Sequence, residues 1–126
     1  MELNDISGEI VDAAIEVHRE LGVPGLLESI YEEALAAELS QRGFKVERRK
    51  TVPVVYKGRR LATAFRVDLL VERQVVVECK AATFTNPVAG AQILTYLRLL
   101  DLKLGLVINF GKQRVSDGIH RVVNGL

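Results

Sequence analysis

Residues 65–80 read FRVDLLVERQVVVECK. Two apolar runs flank the polar triplet at 72–74, a pattern that predicts two antiparallel strands, 61–71 and 75–80, joined by a short turn. Side chains alternate across a strand, so Arg66 and Asp68 share one face, and Glu78 and Lys80 share a face of the next strand. With the turn at 72–74, Asp68 faces Glu78, and Arg66 faces Lys80.

Two facing carboxylates in strands patterned for burial need a counter-charge, because like charges directly opposite each other destabilise a sheet. Lys80 is one candidate, since it follows Glu78 on the same strand face at about 6.5–7 Å by the rise of a strand. A divalent metal ion with hard oxygen ligands is the better candidate. The alternative is that Asp68 and Glu78 lie at strand ends and point into water.

The remaining elements surround this hairpin. Apolar residues at helical spacing predict two helices before it, with a break at Gly22-Val23-Pro24-Gly25. Asn86-Pro87 predicts the start of a third helix, because asparagine caps helices and proline suits the first helical position. The predicted order is helix 5–21, helix 26–42, strand 52–56, the two hairpin strands, helix 87–100, strand 104–110 and a short helix after Asp117. This order predicts an α/β sandwich with a mixed sheet.

Size and composition limit the class of protein. A chain of 126 residues is expected to form one domain, 1–126. With 48% hydrophobic and 26% charged residues, it has a composition that argues against intrinsic disorder. The single cysteine, Cys79, excludes an internal disulfide framework and a multi-cysteine zinc site. There is no apolar run of ~18 residues and no basic-then-apolar leader, so we expect no membrane span and a cytoplasmic location.

Charge is distributed unevenly along the chain. Residues 1–41 carry a formal charge of −9 and residues 42–126 carry +10. The densest basic stretch, 42–60, holds eight bases and one acid, Glu47. Such a stretch attracts polyanions. The alternative is a solvated hairpin whose counter-charges lie on the helices.

Two polar features stand out on the predicted helices. At ~100° per residue, Glu28 projects between Leu35 and Leu39, at the flank of the apolar stripe, from where it could reach a metal ion beside the sheet. The opposite side of that helix is expected to face solvent and carries Ser29, Glu32, Glu33 and Ala36. Glu38 falls on the apolar stripe without an assigned role.

Gln92 and Tyr96 lie four residues apart on the third helix and so share one face. An amide and a phenol on a helix that covers the sheet could bind a phosphate and a base. The alternative is a pair of half-exposed polar residues without a function.

These residues resemble a known family. Asp68 followed by Glu78-Cys79-Lys80 is similar to the PD-(D/E)xK nuclease motif, and the αβββαβ order is the restriction-endonuclease-like core of that superfamily. Gln92 to Tyr96 resembles the QxxxY motif of its RecB-like exonuclease branch. The stretch from Gly25 to Tyr31 resembles the GxxExxY motif that names one family within it. Arg66-Val67 precedes Asp68 where the name-giving proline would be.

The resemblance implies a set of site residues. Asp68, Glu78 and the backbone carbonyl of Cys79 would bind Mg²⁺, with Mn²⁺ as a substitute, and Glu28 would hold the metal or its water from the helix side. Lys80 would orient or activate the attacking water. The implied substrate-binding residues are Gln92, Tyr96 and Arg66.

Three functions are compatible with this set. The first is a Mg²⁺-dependent nuclease that acts on DNA or RNA, with DNA preferred. The second is a nucleic-acid-binding module that does not cut, and the third is a structural or regulatory protein that retains the fold. A protein that had lost activity would not need to keep the carboxylates and the lysine together, so the complete set favours the nuclease. Small nucleases often act in pairs, and a homodimer is therefore expected.

Overall fold

The computed structural model describes residues 1–22, 26–84 and 86–125. Within these ranges there are three α-helices: α1 (Leu3–Leu21), α2 (Glu28–Gln41) and α3 (Val88–Leu100). The strands are β1 (Val46–Val52), β2 (Val55–Tyr56), β3 (Arg59–Arg60), β4 (Phe65–Val71), β5 (Val75–Lys80), β6 (Leu104–Asn109) and β7 (Ile119–Val123). A 3₁₀ turn spans Val115–Gly118. The predicted break at 22–25 lies between α1 and α2, and its residues 23–25 are outside the described ranges.

A five-stranded sheet organises the fold, with the strand order β1-β4-β5-β6-β7. Strands β5 and β6 run parallel and the other neighbours run antiparallel. The parallel pair requires a crossover, which α3 supplies. Strands β2 and β3 form a separate two-stranded hairpin. The predicted mixed α/β fold with a restriction-endonuclease-like core is therefore confirmed.

Helices cover both faces of the sheet. Helices α1 and α2 bury Ile6, Ile10, Tyr31, Leu35 and Leu39 on one face, together with Val77 and Cys79 of β5. Helix α3 buries Ile93, Tyr96 and Leu97 on the other face, against Val76 and Val107. The central strands β5 and β6 are therefore covered on both sides, which explains their nearly continuous apolar sequences.

The first strand of the sheet was predicted wrongly. It spans Val46–Val52 rather than 52–56, and it ends directly before Pro53. Its sequence, VERRKTV, hides the strand because β1 lies at the edge of the sheet, where charged side chains are tolerated. The predicted turn at Lys57-Gly58 is present, and it joins β2 to β3 with positive φ at both residues.

The helix predicted after Asp117 was also wrong. Residues 119–123 form β7, which pairs antiparallel with β6 and follows only one 3₁₀ turn. The segment is rich in β-branched residues, which favour a strand. By pairing with β6, it completes the sheet beside the buried central strands.

Acidic helices and the basic segment meet at Arg42. Its guanidinium contacts Asp12 at 2.8 Å and Glu9 at 3.3 Å on α1, and Glu38 at 2.8 Å on α2. The hydrogen bond to Glu38, followed by the one to Asp12, raises the pKa of Arg42. Glu38 thus anchors the arginine that closes α2.

Candidate active site

Asp68 and Glu78 meet where β4 and β5 separate. The two strands pair Leu69 with Val77 and Val71 with Val75, which is the register predicted from the turn. At the next position of the ladder, side-chain carboxylates take the place of backbone carbonyls as hydrogen-bond acceptors. The Asp68 N–H donates to Glu78 Oε1 at 3.1 Å, and the Cys79 N–H donates to Asp68 Oδ2 at 2.8 Å. Both carboxylates therefore lie in the gap between the strands instead of pointing into water at strand ends.

The strand geometry changes at Asp68. Leu69 and Val71 pack against α1 and α2, whereas Phe65 and Val67 pack against α3. Strict alternation along the strand predicts that these four residues share one face, and this prediction is wrong. Across the ladder, Arg48 pairs with Leu69 and Lys50 with Val67, so the residue opposite Asp68 is Arg49, which has a positive φ of 53°. This irregularity breaks the alternation of side chains on both sides of Asp68.

The surroundings of Glu78 disfavour the ionised form of its carboxyl group. Its side chain is 7% exposed. Burial, reinforced by the charge of Asp68, raises the pKa of Glu78 to about 8, although a backbone hydrogen bond and Lys80 act in the opposite direction. Loss of hydration and the second negative charge both disfavour the ionised form. A bound cation would remove this penalty.

Cys79 contributes through its backbone. Its side chain is fully buried in the α1–α2 core, and burial raises the pKa of its thiol well above the usual value, with Asp68 as the next cause. A protonated, inaccessible thiol is a packing group. The N–H and C=O of one strand residue point to the same neighbour, so the N–H bond to Asp68 directs the Cys79 carbonyl into the same gap.

The donors in this gap fit a hard divalent cation. They comprise two carboxylates and one backbone carbonyl, and one oxygen of each carboxylate accepts no hydrogen bond from the described residues. Within residues 1–22, 26–84 and 86–125, no three His, Cys, Asp or Glu side chains are grouped to hold a metal. Mg²⁺ is suited to such a small set, because it keeps several waters and takes substrate oxygens.

A groove of about 390 Å³ lies on the α2 side of Asp68. Glu28, Glu32, Arg49 and Arg66 line it together with Asp68. Glu28 is exposed within this groove rather than packed beside Leu35 and Leu39, and the structure does not bring it into a metal-binding trio. Its role as a metal ligand stays a prediction.

Glu32 is the functional candidate that sequence reasoning missed. It was expected to face solvent, but it is 5% exposed, and its Oε1 is buried without a hydrogen-bond partner. The nearest cations are Arg48 Nε at 3.7 Å and Arg49 Nε at 3.9 Å. Burial and then Asp68 raise the pKa of Glu32. Helix α2 contacts α1, β1, β4 and β5, so its buried arc is wider than one apolar stripe, and Ala36 is buried too.

The motif residues of α3 face the other side of the gap. Tyr96 is buried, packs its ring against Phe65 at 5.1 Å, and has its pKa raised by burial and then by the charges of Glu78 and Asp68. Gln92 is exposed and lines a second cavity of about 390 Å³ together with Lys80. The structure thus brings Gln92, Tyr96, Lys80 and Glu78 to one face of the sheet.

The basic segment divides into two parts. Its first part is paired with acids, because Arg48 lies 3.7 Å from both Glu32 and Glu33, and Lys50 lies 3.8 Å from Glu47. The cations of the β2–β3 hairpin, Lys57, Arg59 and Arg60, are exposed and form no salt bridge within the described part of the chain. Counter-charges therefore account for the first part, and attraction of polyanions by the second part stays a prediction.

Comparison with protein families identifies a relationship. A family model described as the PD-(D/E)XK nuclease superfamily matches residues 4–122. No curated protein and no solved structure matches the chain significantly. Among the described residues, no helix has the length and apolar character needed to cross a membrane.

Proposed function

Because the chain belongs to the PD-(D/E)XK nuclease superfamily, we propose that it is a Mg²⁺-dependent nuclease that hydrolyses phosphodiester bonds of DNA. The observation that carries this proposal is the pairing of the half-buried Asp68 with the buried Glu78 in the gap between β4 and β5. Their mutual repulsion and poor hydration would be relieved by a divalent cation.

Each residue of the gap has a proposed role. Asp68, Glu78 and the Cys79 carbonyl would hold Mg²⁺, or Mn²⁺ in its place. When bound, such an ion polarises a phosphoryl oxygen and lowers the pKa of a coordinated water. Glu28, which lines the groove beside Asp68, would hold the metal or its water from the helix side.

Three further groups act on the substrate and the water. Lys80 follows Glu78 on the same strand face, so its ammonium orients the attacking water and offsets charge that develops on the phosphate. Arg66 binds a phosphate from the α2 groove. Gln92 and Tyr96 position the substrate strand from α3.

We assign the chain to the GxxExxY family on the stretch from Gly25 to Tyr31. Gly25 lies outside the described residues, and Glu28 lines the groove beside Asp68. Tyr31 is buried, stacks on Phe110 at 4.7 Å and donates its hydroxyl to the Gly22 carbonyl at 2.9 Å. The tyrosine of the motif therefore anchors the end of α1, and the glutamate is the residue available for chemistry.

A second candidate function is nucleic-acid binding without turnover. The exposed cations of the β2–β3 hairpin favour it, because they would bind phosphates whether or not a metal occupies the gap. We also propose a homodimer, because small nucleases often act in pairs, and a cytoplasmic location.

The decisive experiment measures cleavage and binding side by side. Labelled single- and double-stranded DNA and RNA are incubated with Mg²⁺ or Mn²⁺ and with wild type, Asp68→Asn or the exposed-carboxylate control Asp101→Asn. We expect cleavage by wild type and the control only. Binding without cleavage on every substrate with both metals would instead favour the binding module.

A further inference from the structure

The cavity beside α3 is distinct from the groove that holds Asp68. It measures about 390 Å³ and lies between α3, β6, β7 and the loop that follows β5. Lys80 forms part of its wall, which links it directly to the proposed catalytic strand. Its other lining residues include Phe84, Val88, Gln92, Asp117 and His120.

The walls of this cavity are held by close backbone packing. Asn109 is buried, and its Oδ1 accepts the N–H of Ala82 at 3.0 Å and that of Gly111 at 2.9 Å. A Cβ on Gly111 would lie 2.3 Å from the Ala82 carbonyl oxygen, and a Cβ on Gly118 would lie 2.4 Å from that of Asn109. These contacts fix Ala82, just after β5, against Asn109 and Gly111 at the end of β6. The cavity is therefore preformed, as small-ligand sites usually are.

Its chemistry suits a neutral, flat and polar-edged group. Phe84 is 70% exposed and Val88 is 55% exposed, so they supply an apolar wall that contacts no core. Gln92 and His120 supply hydrogen-bond donors and acceptors. The cationic Lys80 and the anionic Asp117 line the same cavity, and the carboxylate disfavours a phosphate there. A nucleobase has the required flat faces and polar edge.

The distance from the gap to the cavity determines which nucleotide of the substrate places its base there. Lys80 is two strand residues from Glu78, a separation of about 6.5–7 Å. A phosphate beside Lys80 thus places the adjoining nucleotide at the mouth of the cavity. Phe84 at that mouth is largely exposed. Exposed aromatic side chains of this kind stack on the bases of single-stranded nucleic acids in other proteins.

We propose that this cavity binds an unpaired nucleobase of the strand being cut, next to the scissile phosphate, with Phe84 stacked on the base. The proposal rests on the nuclease function and specifies its substrate class. A base within a duplex is stacked on both faces and paired at its edge, so it enters only after leaving the helix. The substrate is therefore single-stranded nucleic acid or a duplex position that is already open.

An abasic scan tests this directly. Single-stranded oligonucleotides carry one abasic site at successive positions around the cleavage point, and kcat/KM is measured for wild type, Phe84→Ala, Phe84→Tyr and Leu99→Ala. Leu99 is an exposed apolar residue of α3 that does not line the cavity, so it is the matched control. We expect one abasic position to lower kcat/KM of wild type and of the control by about tenfold or more.

The same abasic position should have little effect on Phe84→Ala, because the stacking is already lost, whereas Phe84→Tyr should behave as wild type. Wild-type cleavage that is insensitive to every abasic position, or equally sensitive with Phe84→Ala, would overturn the base-binding proposal and leave the nuclease intact. If wild type cuts nothing, binding of the same oligonucleotides decides. Phe84-dependent loss of affinity at one abasic position would then support the base cavity although the nuclease function had failed, and uniform affinity would overturn both.

Discussion

The Asp68 carboxylate accepts the backbone N–H of Cys79 at 2.8 Å, at a point where β4 would otherwise present a carbonyl oxygen. Asp68 is therefore a strand partner as well as a proposed metal ligand. Its removal leaves a buried N–H unsatisfied, which costs about 1–3 kcal/mol. Substitutions at Asp68 must separate the two roles.

We predict that Mg²⁺ and Mn²⁺ raise the melting temperature of wild type by mass action at millimolar concentration. Asp68→Asn should lose this increment and keep most of the metal-free stability, because the amide oxygen still accepts the Cys79 N–H. Asp68→Ala should lose the metal-dependent increment and also part of the metal-free stability, because no side-chain oxygen then accepts the Cys79 N–H. Differential scanning fluorimetry with chelator, Mg²⁺ or Mn²⁺ provides the measurement. A metal-dependent shift that survives in Asp68→Asn would show that the cation binds elsewhere.

Stability without metal should depend on pH through Glu78. The pKa of Glu78 in the folded protein is about 8, whereas an unfolded glutamate has a pKa of about 4.3. The native state therefore binds this proton more tightly than the unfolded state does. The resulting contribution to the free energy of unfolding is complete below pH ~4.3. It is lost as pH rises through about 8, and it amounts to on the order of a few kcal/mol.

The matched variant is Glu78→Gln, which cannot ionise. Urea denaturation in chelator at several pH values should show wild type losing stability relative to Glu78→Gln as pH rises. The increment from Mg²⁺ should grow over the same range, because metal binding needs the ionised carboxylate. Parallel pH profiles for the two proteins would contradict the predicted burial of the charge.

Lys80 should separate chemistry from affinity. Lys80→Ala is expected to lower turnover by on the order of a hundredfold or more, because a donor that meets developing charge is lost. Affinity should change little, since it comes mainly from dispersed cations. Lys80→Arg should recover little activity, because a planar fork does not replace a compact ammonium. Equal cleavage by wild type and Lys80→Ala would point to a contaminating nuclease.

The two parts of the basic segment should differ in their contribution to nucleic-acid binding. The triple variant Lys57→Ala, Arg59→Ala and Arg60→Ala removes exposed cations and should reduce the slope of log Kd against log salt by about 2–3. The triple variant Arg48→Ala, Arg49→Ala and Lys50→Ala removes cations that lie near acids, and its slope should change less. Titrations at several salt concentrations measure both slopes. A larger change in slope for the variant at residues 48–50 would indicate that β1, rather than the β2–β3 hairpin, contacts the phosphates of the nucleic acid.

The hairpin at the centre of the sheet was predictable because its register is local. A polar turn at 72–74 leaves one way to pair the two runs, so the proximity of Asp68 and Glu78 follows from the chain alone. The edge strands were less predictable. Strand β1 carries charges that only its edge position makes acceptable, and β7 is short and gains its stability from pairing with β6.

The rotation of α2 about its own axis, which decides which of its side chains are buried, could not be predicted from its sequence. Its apolar stripe predicts which side packs against one neighbour, but several elements surround this helix. Glu32 is buried for that reason, although an isolated helical wheel places it in water. The change of face at Asp68 was equally hidden, because it depends on the backbone of Arg49 in another strand.

The residues of the proposed site reach both faces of the sheet: Asp68 lines the α2 groove, and Lys80 lines the α3 cavity. Backbone hydrogen bonds hold the carboxylates, whereas the surrounding walls come largely from separate helices and loops. Evolution can therefore remodel one wall while the reacting groups stay in register. A lineage could exchange its preferred substrate through mutations in α3 alone, and the chemistry would be inherited unchanged.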